Sequence, residues 1–396
     1  MGWYIWKSLE KNQIETTYFC DQRASDDFSH YHGIKVISQP ELLKEEWAKD
    51  AKILVAIFNS TSRETVSQNL KKQGFNVIEH DPYSYIHHYF TNIINRNVSS
   101  LEFAQTIEKL REYYDCQGYQ YGEVKENLFV SPYTTGNITT KCNLKCMDCS
   151  QYIPLYESPQ NYTPNQIYDD IAAFCECFDL VPEISLQGGE SLLNQDIGEI
   201  CLKLSQIPNL VFINVYTNGT LLPSPENWEK LKKAGADFHQ SDYQSLSKKQ
   251  EAIFNLAAQN DLYCDINFVF DDTKWHRTEI KDFKRSLEQD DQVYKKCIST
   301  KICAHILEGD LYRCSLAAHG GKQNLVPLQK DTDFVPLRLK DGSPNIEGVR
   351  EYLKKDTALG VCKYCDPDEF VVVPPAIQLS GKNKRIIEET GQKPLA

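Results

Sequence analysis

Apolar and polar positions along this chain switch between a period of two residues and one near 3.6, the mark of strands and helices taken in turn. Trp3 to Lys11 reads as a helix, Glu15 to Cys20 as a strand ending at Asp21, and Lys35 to Ile37 as a short strand. Glu41 to Ala48 reads as a helix, and the run Lys52 to Phe58 (KILVAIF) as a buried strand. Thr61 and Glu64 are spaced as a capping box for a helix that ends at Gly74, and Phe75 to Ile78 is the next strand. Tyr83 to Asp115 is mostly of helical pattern. Such alternation predicts a parallel sheet covered by helices.

A second alternating stretch begins near Glu123. Leu128 to Thr139 reads as a strand. Thr163, Pro164 and Gln166 form a helix start, and Ile167, Ile171, Phe174 and Phe178 form the apolar stripe of that helix. Glu183 to Gln187 is a strand followed by Gly188, Gly189 and Glu190, then a helix from about Gln195 to Gln206. Val211 to Tyr216, Asp237 to Gln240 and Asp265 to Phe270 are further strands, with a helix between the last two.

The length of 396 residues calls for two or three domains. The net charge of −12 argues against nucleic acid and anionic membrane as partners. No apolar run has the length of a membrane span and no signal-peptide pattern opens the chain, so a cytoplasmic location is expected. In that compartment the 14 cysteines point to metal or redox chemistry, not to a disulfide framework.

Three of those cysteines, Cys142, Cys146 and Cys149, stand in eight residues with C-x3-C-x2-C spacing. Thiolates are soft ligands suited to iron–sulfur clusters, which usually take four. Three can hold a [4Fe–4S] cube and leave its fourth iron open to a non-protein ligand. A structural zinc site is the competing reading, although zinc favours C-x2-C pairs in tandem. The spacing resembles the signature of the radical S-adenosylmethionine (SAM) superfamily. One departure is Asp148, where that superfamily usually has an aromatic residue before the third cysteine. Gly188-Gly189-Glu190, one strand later, resembles the superfamily's GGE motif.

The resemblance implies a partial (β/α)6 barrel over residues 123–296, with the site at the C-terminal ends of the strands. It implies a [4Fe–4S] cluster on Cys142, Cys146 and Cys149 with SAM on the open iron. It implies backbone approach at Gly188 and Gly189, and a Glu190 carboxylate for the SAM ammonium. Asn218 and Ser241 follow predicted strands and are candidate SAM contacts, with strand-capping turn residues as the equal alternative.

The first 122 residues resemble a Rossmann-like domain that starts one element late. Gly2 stands as the remnant of the missing glycine loop, and Asp21 where a ribose-binding acid would sit. Without the loop, docking or substrate positioning is favoured over nucleotide binding. Residues 297–396 carry Cys297, Cys303, Cys314, Cys362 and Cys365. Their spacing resembles the twitch variant of the SPASM extension, which implies one auxiliary [4Fe–4S] cluster. Cys297 and Cys303 compete for its first ligand position, and zinc on the same thiols is the alternative. Cys20, Cys116, Cys175, Cys177, Cys201 and Cys264 read as small buried apolar residues. The basic run Lys382 to Arg385 reads as a solvated tail.

The expected protein is therefore an α/β enzyme with two clusters, fed by a one-electron donor such as flavodoxin or ferredoxin. Its 5′-deoxyadenosyl radical would take hydrogen from a carbon of a small-molecule or peptide substrate. The Rossmann-like opening favours a sugar or nucleotide sugar, by epimerisation or dehydrogenation. Cys303 is the candidate hydrogen donor if it is not a ligand. A peptide maturase is the alternative, and a metal-bound scaffold without catalysis is the alternative of another class.

Overall fold

The computed structural model describes residues 2–26, 28–57, 60–93, 122–123, 129–267, 275–297 and 299–379. Two compact units divide the chain, Met1–Gly118 and Tyr119–Ala396. Cys116 and the run Lys382 to Arg385 lie outside the described residues, as does the segment 94–115 of the expected helical stretch.

In the first unit, helix α1 (Gly2–Lys11) precedes strands β1 (Tyr18–Cys20), β2 (His30–Tyr31) and β3 (Ile34–Ile37). β1 pairs parallel with β3, and β2 is antiparallel to β3. The helix expected over Glu41 to Ala48 is instead a short α2 (Gln39–Leu42) and a separate 3-10 turn, Glu46–Lys49. Ser38 caps α2, and the Glu41 carboxylate returns the bond. Of the strand expected over Lys52 to Phe58, the described part pairs at β4 (Lys52–Ile53), parallel to β5 (Asn76–Val77), and Phe58 lies outside the described residues. The helix between them, α3 (Ser60–Lys72), begins before Thr61, so that side chain lies inside it and caps nothing. Glu64 accordingly accepts from Gln68 one turn on, not from a capping partner. Helix α4 (Pro82–His88) ends the described part of the unit with a π-turn. Gly2 lies in α1, and the Asp21 carboxylate is held by Arg23 from two nitrogens at 3.0 and 3.1 Å. Cys20 is exposed at the end of β1, against its expected burial.

The second unit is built on one eight-stranded sheet. Its strands are β8 (Tyr133–Thr139), β9 (Val181–Gly188), β10 (Leu210–Thr217), β11 (Asp237–Ser241), β12 (Cys264–Asn267), β13 (Cys303–Leu307), β14 (Asp310–Tyr312) and β15 (Phe334–Pro336). The spatial order is β12-β11-β10-β9-β8-β13-β14-β15. From β12 to β13 every pair is parallel, and the last two pairs are antiparallel. A small hairpin, β6 (Gly122–Glu123) with β7 (Phe129–Val130), stands apart. Helices α5 (Pro164–Cys175), α6 (Ile197–Leu204), α7 (Pro225–Ala234) and α8 (Gln250–Gln259) make the crossovers. The α5 start carries the expected box, with Gln166 N–H donating to Thr163 Oγ1 and the Gln166 side chain returning to Thr163 N. Helix α5 ends at Cys175, so Phe178 packs from beyond it. Cys175, Cys177, Cys201 and Cys264 are buried as expected.

The two faces of this sheet differ. Along each strand successive side chains point to opposite faces. The outer face carries Ile184, Leu186, Ile213, Val215 and Phe238, all fully buried, each worth about 1.5–3 kcal/mol of burial. A Cβ on Gly136 would meet Ile171 of α5 at 3.0 Å, which fixes that face as the helix side. The opposite parity is largely polar, with Tyr133, Thr135 and Asn137 of β8, Glu183, Ser185 and Gln187 of β9, Asn214 and Tyr216 of β10, His239 of β11, and Cys303 and His305 of β13.

Candidate functional site

The cysteine loop leaves the end of β8 and is held against the end of β9. Gly189 N–H donates to Thr139 O at 3.0 Å, and Glu190 N–H to Lys141 O at 2.8 Å. A Cβ on Gly188 or Gly189 would lie 1.9 Å from Thr139 O or Lys141 O respectively. The two glycines thus let the strand touch the loop backbone, a task beyond the ligand approach expected of them. Gly188 also has φ +130°, where an L side chain is strained.

Glu190 is fully buried and its carboxylate is occupied. It accepts from Leu192 N at 3.0 Å, Thr217 Oγ1 at 2.7 Å and Asn218 N at 2.7 Å. Burial raises its pKa against the pull of those three donors. It therefore ties the end of β9 to the end of β10. Asn218, so placed, points Nδ2 at Cys142 Sγ across 3.8 Å and bonds Asn143 Oδ1 at 3.1 Å. Ser241 ends β11 and bonds Tyr243, which is the residue that faces Cys142, Cys146 and Cys149.

The three thiols are neighbours, and burial pushes Cys142 up to about 12 and Cys146 up to about 11. Donors already point at the sulfurs: Leu144 N–H at Cys142 (3.4 Å) and Gln378 Nε2 at Cys146 (3.3 Å). Asp148, the odd residue of the motif, accepts Thr278 N–H on its carboxylate at 3.2 Å, and its carbonyl accepts Trp275 Nε1. Trp275 in turn meets Tyr243 edge-on with centroids 5.7 Å apart, so an aromatic pair flanks the loop although the motif lacks its own.

A second thiol group forms in the C-terminal third. Cys297 ends α9 (Leu287–Lys296), Cys314 follows β14, and Cys362 lies inside a 3-10 turn (Gly360–Tyr364) that Cys365 ends. Cys297, Cys362 and Cys365 all act electrostatically on the Cys314 thiol, while Cys303 feels only Cys297. Cys297, Cys314, Cys362 and Cys365 are thus neighbours of one another, and Cys303 neighbours Cys297. Arg285 binds the Cys362 and Cys365 carbonyls at 2.6 and 2.8 Å and pairs with Asp290 and Asp366. Among the described residues no three Cys, His, Asp or Glu side chains are gathered tightly enough for a single metal ion. A four-iron cube binds each thiolate at a different iron and asks for wider spacing.

Residues 137–261 match the family described as "Radical SAM superfamily". They form a radical SAM domain. A radical SAM domain works with a [4Fe–4S] cluster and SAM, and the donor set of Cys142, Cys146 and Cys149 fits that cluster. A mitochondrial GTP 3′,8-cyclase of Arabidopsis thaliana is 34% identical over 103 residues, 26% of this chain and 25% of the relative. The GTP 3′,8-cyclase of Aquifex aeolicus is 31% identical over 105 residues, 25% of this chain and 31% of the relative. The chain thus spans under a third of the length of these relatives. A crystal structure of BtrN with AdoMet and 2-DOIA superposes on 57% of this chain and 82% of that chain, at TM-score 0.37 and 13% identity. Streptococcus suis SuiB bound to S-adenosylmethionine covers 78% of this chain and 83% of its own, at TM-score 0.32 and 14% identity.

The polar face of the radical SAM sheet carries residues that the sequence reading passed over. Tyr133 Oη donates to Tyr216 Oη at 3.0 Å, and Ser185 Oγ to Tyr133 Oη at 2.9 Å. His239 stacks on Tyr216 with centroids 5.0 Å apart. His319 bonds Asn137 at 3.1 Å and Tyr156 at 2.9 Å. Burial holds His305 down to about 4 and His319 to about 3, so both imidazoles are neutral at pH 7. Glu183, bonded to Asn214 at 3.1 Å, is pushed up to about 7 by burial. The signal was available as period-two polarity in EISLQ, INVYT and DFHQS, since a parallel strand buried on both faces is normally apolar throughout. A cavity of about 330 Å³ lies elsewhere, between α5 and the β13–β14 turn, lined by Tyr162, Asp170 and Glu308.

Among the described residues no helix is long and apolar enough to cross a membrane.

Proposed function

We propose that this chain is a radical SAM enzyme acting on a hydrophilic, polyhydroxylated small molecule, a sugar or nucleotide sugar, and inverting one of its carbons. The observation that carries the reading is the polar inner face, with hydroxyls of Tyr133, Ser185 and Tyr216, amides of Asn137 and Gln187, and the carboxyl of Glu183 on one surface. A ligand that buries many hydroxyls needs many such partners, since each one left unpaired costs about 1–3 kcal/mol. Relatives named GTP 3′,8-cyclase make a nucleotide-linked substrate the first class to try.

Cys142, Cys146 and Cys149 would hold a [4Fe–4S] cluster, which with SAM bound would supply a 5′-deoxyadenosyl radical given one electron from a donor such as flavodoxin or ferredoxin. Glu190, Asn218 and the glycine step hold the loop that carries those thiols. Ser241 and Tyr243 wall its side. Cys297, Cys314, Cys362 and Cys365 are proposed to hold an auxiliary [4Fe–4S] cluster. A hydrogen atom leaves the substrate C–H, and Cys303 returns the hydrogen atom of its S–H to the opposite face. The resulting thiyl takes one electron and one proton from the donor chain and solvent. Two observations support Cys303: of the five thiols Cys297 alone acts on it, and burial followed by Cys297 pushes its pKa up to about 11, which keeps the hydrogen on sulfur at pH 7.

Anaerobic turnover with nucleotide sugars in deuterium oxide tests this. One deuteron at an inverted carbon is expected, and its loss in Cys303→Ala. A carbonyl product means dehydrogenation, with the electron passing to the auxiliary site. Alteration of a peptide alone refutes the carbohydrate reading in favour of a peptide maturase.

A further inference from the structure

The chain after the last cysteine returns to the first cysteine loop. Residues 371–379 form a strap whose beginning pairs with residues 275–277. Arg277 N–H donates to Val371 O and Val373 N–H to Trp275 O, both at 2.9 Å. Ala376 then turns at φ +56°, a left-handed conformation that costs a non-glycine residue and marks an imposed direction change. After this turn the strap lies antiparallel to the cysteine loop. Met147 N–H donates to Ile377 O at 2.8 Å, and Leu379 N–H to Lys145 O at 2.7 Å. Between those two bonds sits Gln378. Its Oε1 accepts Lys145 N–H at 2.7 Å, and its Nε2 donates to Ala376 O at 2.8 Å and to Cys146 Sγ at 3.3 Å.

Gln378 is thus oriented by its own neighbours. With Oε1 engaged by a backbone donor, the amide cannot flip without facing that N–H with its own, so the NH2 group stays turned to the sulfur. Cys146 is 8% exposed, which shields the bond from competing water. A donor on a cluster sulfur stabilises the more negative, reduced state and raises the reduction potential.

We propose that Gln378 is a positioning residue of the radical SAM site: from the C-terminal strap it fixes Cys146 and raises the potential of the cluster that Cys146 holds. The strap begins a few residues after Cys365, so one chain segment links the two thiol groups. The proposal rests on the cluster assignment at Cys142, Cys146 and Cys149.

The test is the midpoint potential of the cluster whose EPR signal changes when SAM is added, in holo protein reconstituted anaerobically. Gln378→Met keeps the length and removes the donor, and Gln378→Glu replaces it with a charged acceptor. Both should move the midpoint to more negative values, Glu further than Met. The reduced fraction at a fixed donor potential should fall severalfold, while the second cluster stays where it was. An unmoved midpoint in an iron-replete Met variant overturns the proposal. Where the variants lose iron at this site, the wild-type protein labelled with 15N in glutamine side chains is read by pulsed EPR. A 15N coupling to the reduced cluster supports the bond, and its absence overturns it. Wild-type protein without iron at the site would fail the cluster assignment instead, a result separate from any shift in potential.

Discussion

Gly189→Ala adds one methyl group and nothing else. Gly189 is not in the left-handed region, so the effect is steric and not conformational. Its Cβ would stand 1.9 Å from Lys141 O and 3.0 Å from Cys142 N, both backbone atoms that cannot rotate away. To restore contact distance the start of the cysteine loop must retreat by about an ångström or more. That movement gives up the 2.8 Å bond from Glu190 N–H to Lys141 O. Overpacking of this kind costs about 1–3 kcal/mol, and the lost bond about 1 kcal/mol more. A displacement of about 1 Å at a reacting group costs on the order of 10²-fold in rate. The assay is 5′-deoxyadenosine formed under dithionite, together with iron per chain. We expect cleavage to fall about 100-fold while iron at the Cys297 group stays. Gly188→Ala should be worse, because its φ of +130° adds backbone strain to an equal collision. Wild-type cleavage by Gly189→Ala, with full iron, would refute the packing argument.

Two further outcomes are expected. Fully loaded protein should hold about eight irons, with Cys297→Ala falling towards about four and Cys303→Ala keeping about eight; the reverse would exchange the two thiols. Glu183 has a folded pKa raised from 4.5 to about 7, so the folded state binds the extra proton between those values and stability declines as pH rises through that window. Melting curves from pH 5 to 8 should show Glu183→Gln gaining on wild type by about 3 kcal/mol across the window, and parallel curves would show that Glu183 is hydrated.

The radical SAM core was legible because each of its cues is local. Thr163 and Gln166 cap a helix from three residues apart, and the C-x3-C-x2-C run fits one cluster by itself. What escaped was non-local. Nothing near Gln378 in sequence announces Cys146, since the link is antiparallel pairing between segments more than 200 residues apart. Spacing does not show that Cys297 caps α9 while Cys303 opens β13, because each place is set by contacts far along the chain. In the first unit Thr61 looked like a cap, but α3 starts at Ser60. The strand pattern of Lys52 to Phe58 outran its partner, because β5 offers only two residues to pair with.

The place of β13 in the sheet has a consequence for how the chain is made. β8, which carries the cysteine loop, pairs on one side with β9 and on the other with β13. The ribosome delivers β9 soon after β8, but Cys303 follows Thr139 by more than 160 residues. At about 5–20 residues per second, one edge of β8 stays open for roughly 10–30 s. An open strand edge recruits other chains, and late long-range pairing is slow. Slower growth at lower temperature, which thins the crowd of nascent chains, should therefore improve the yield of soluble protein.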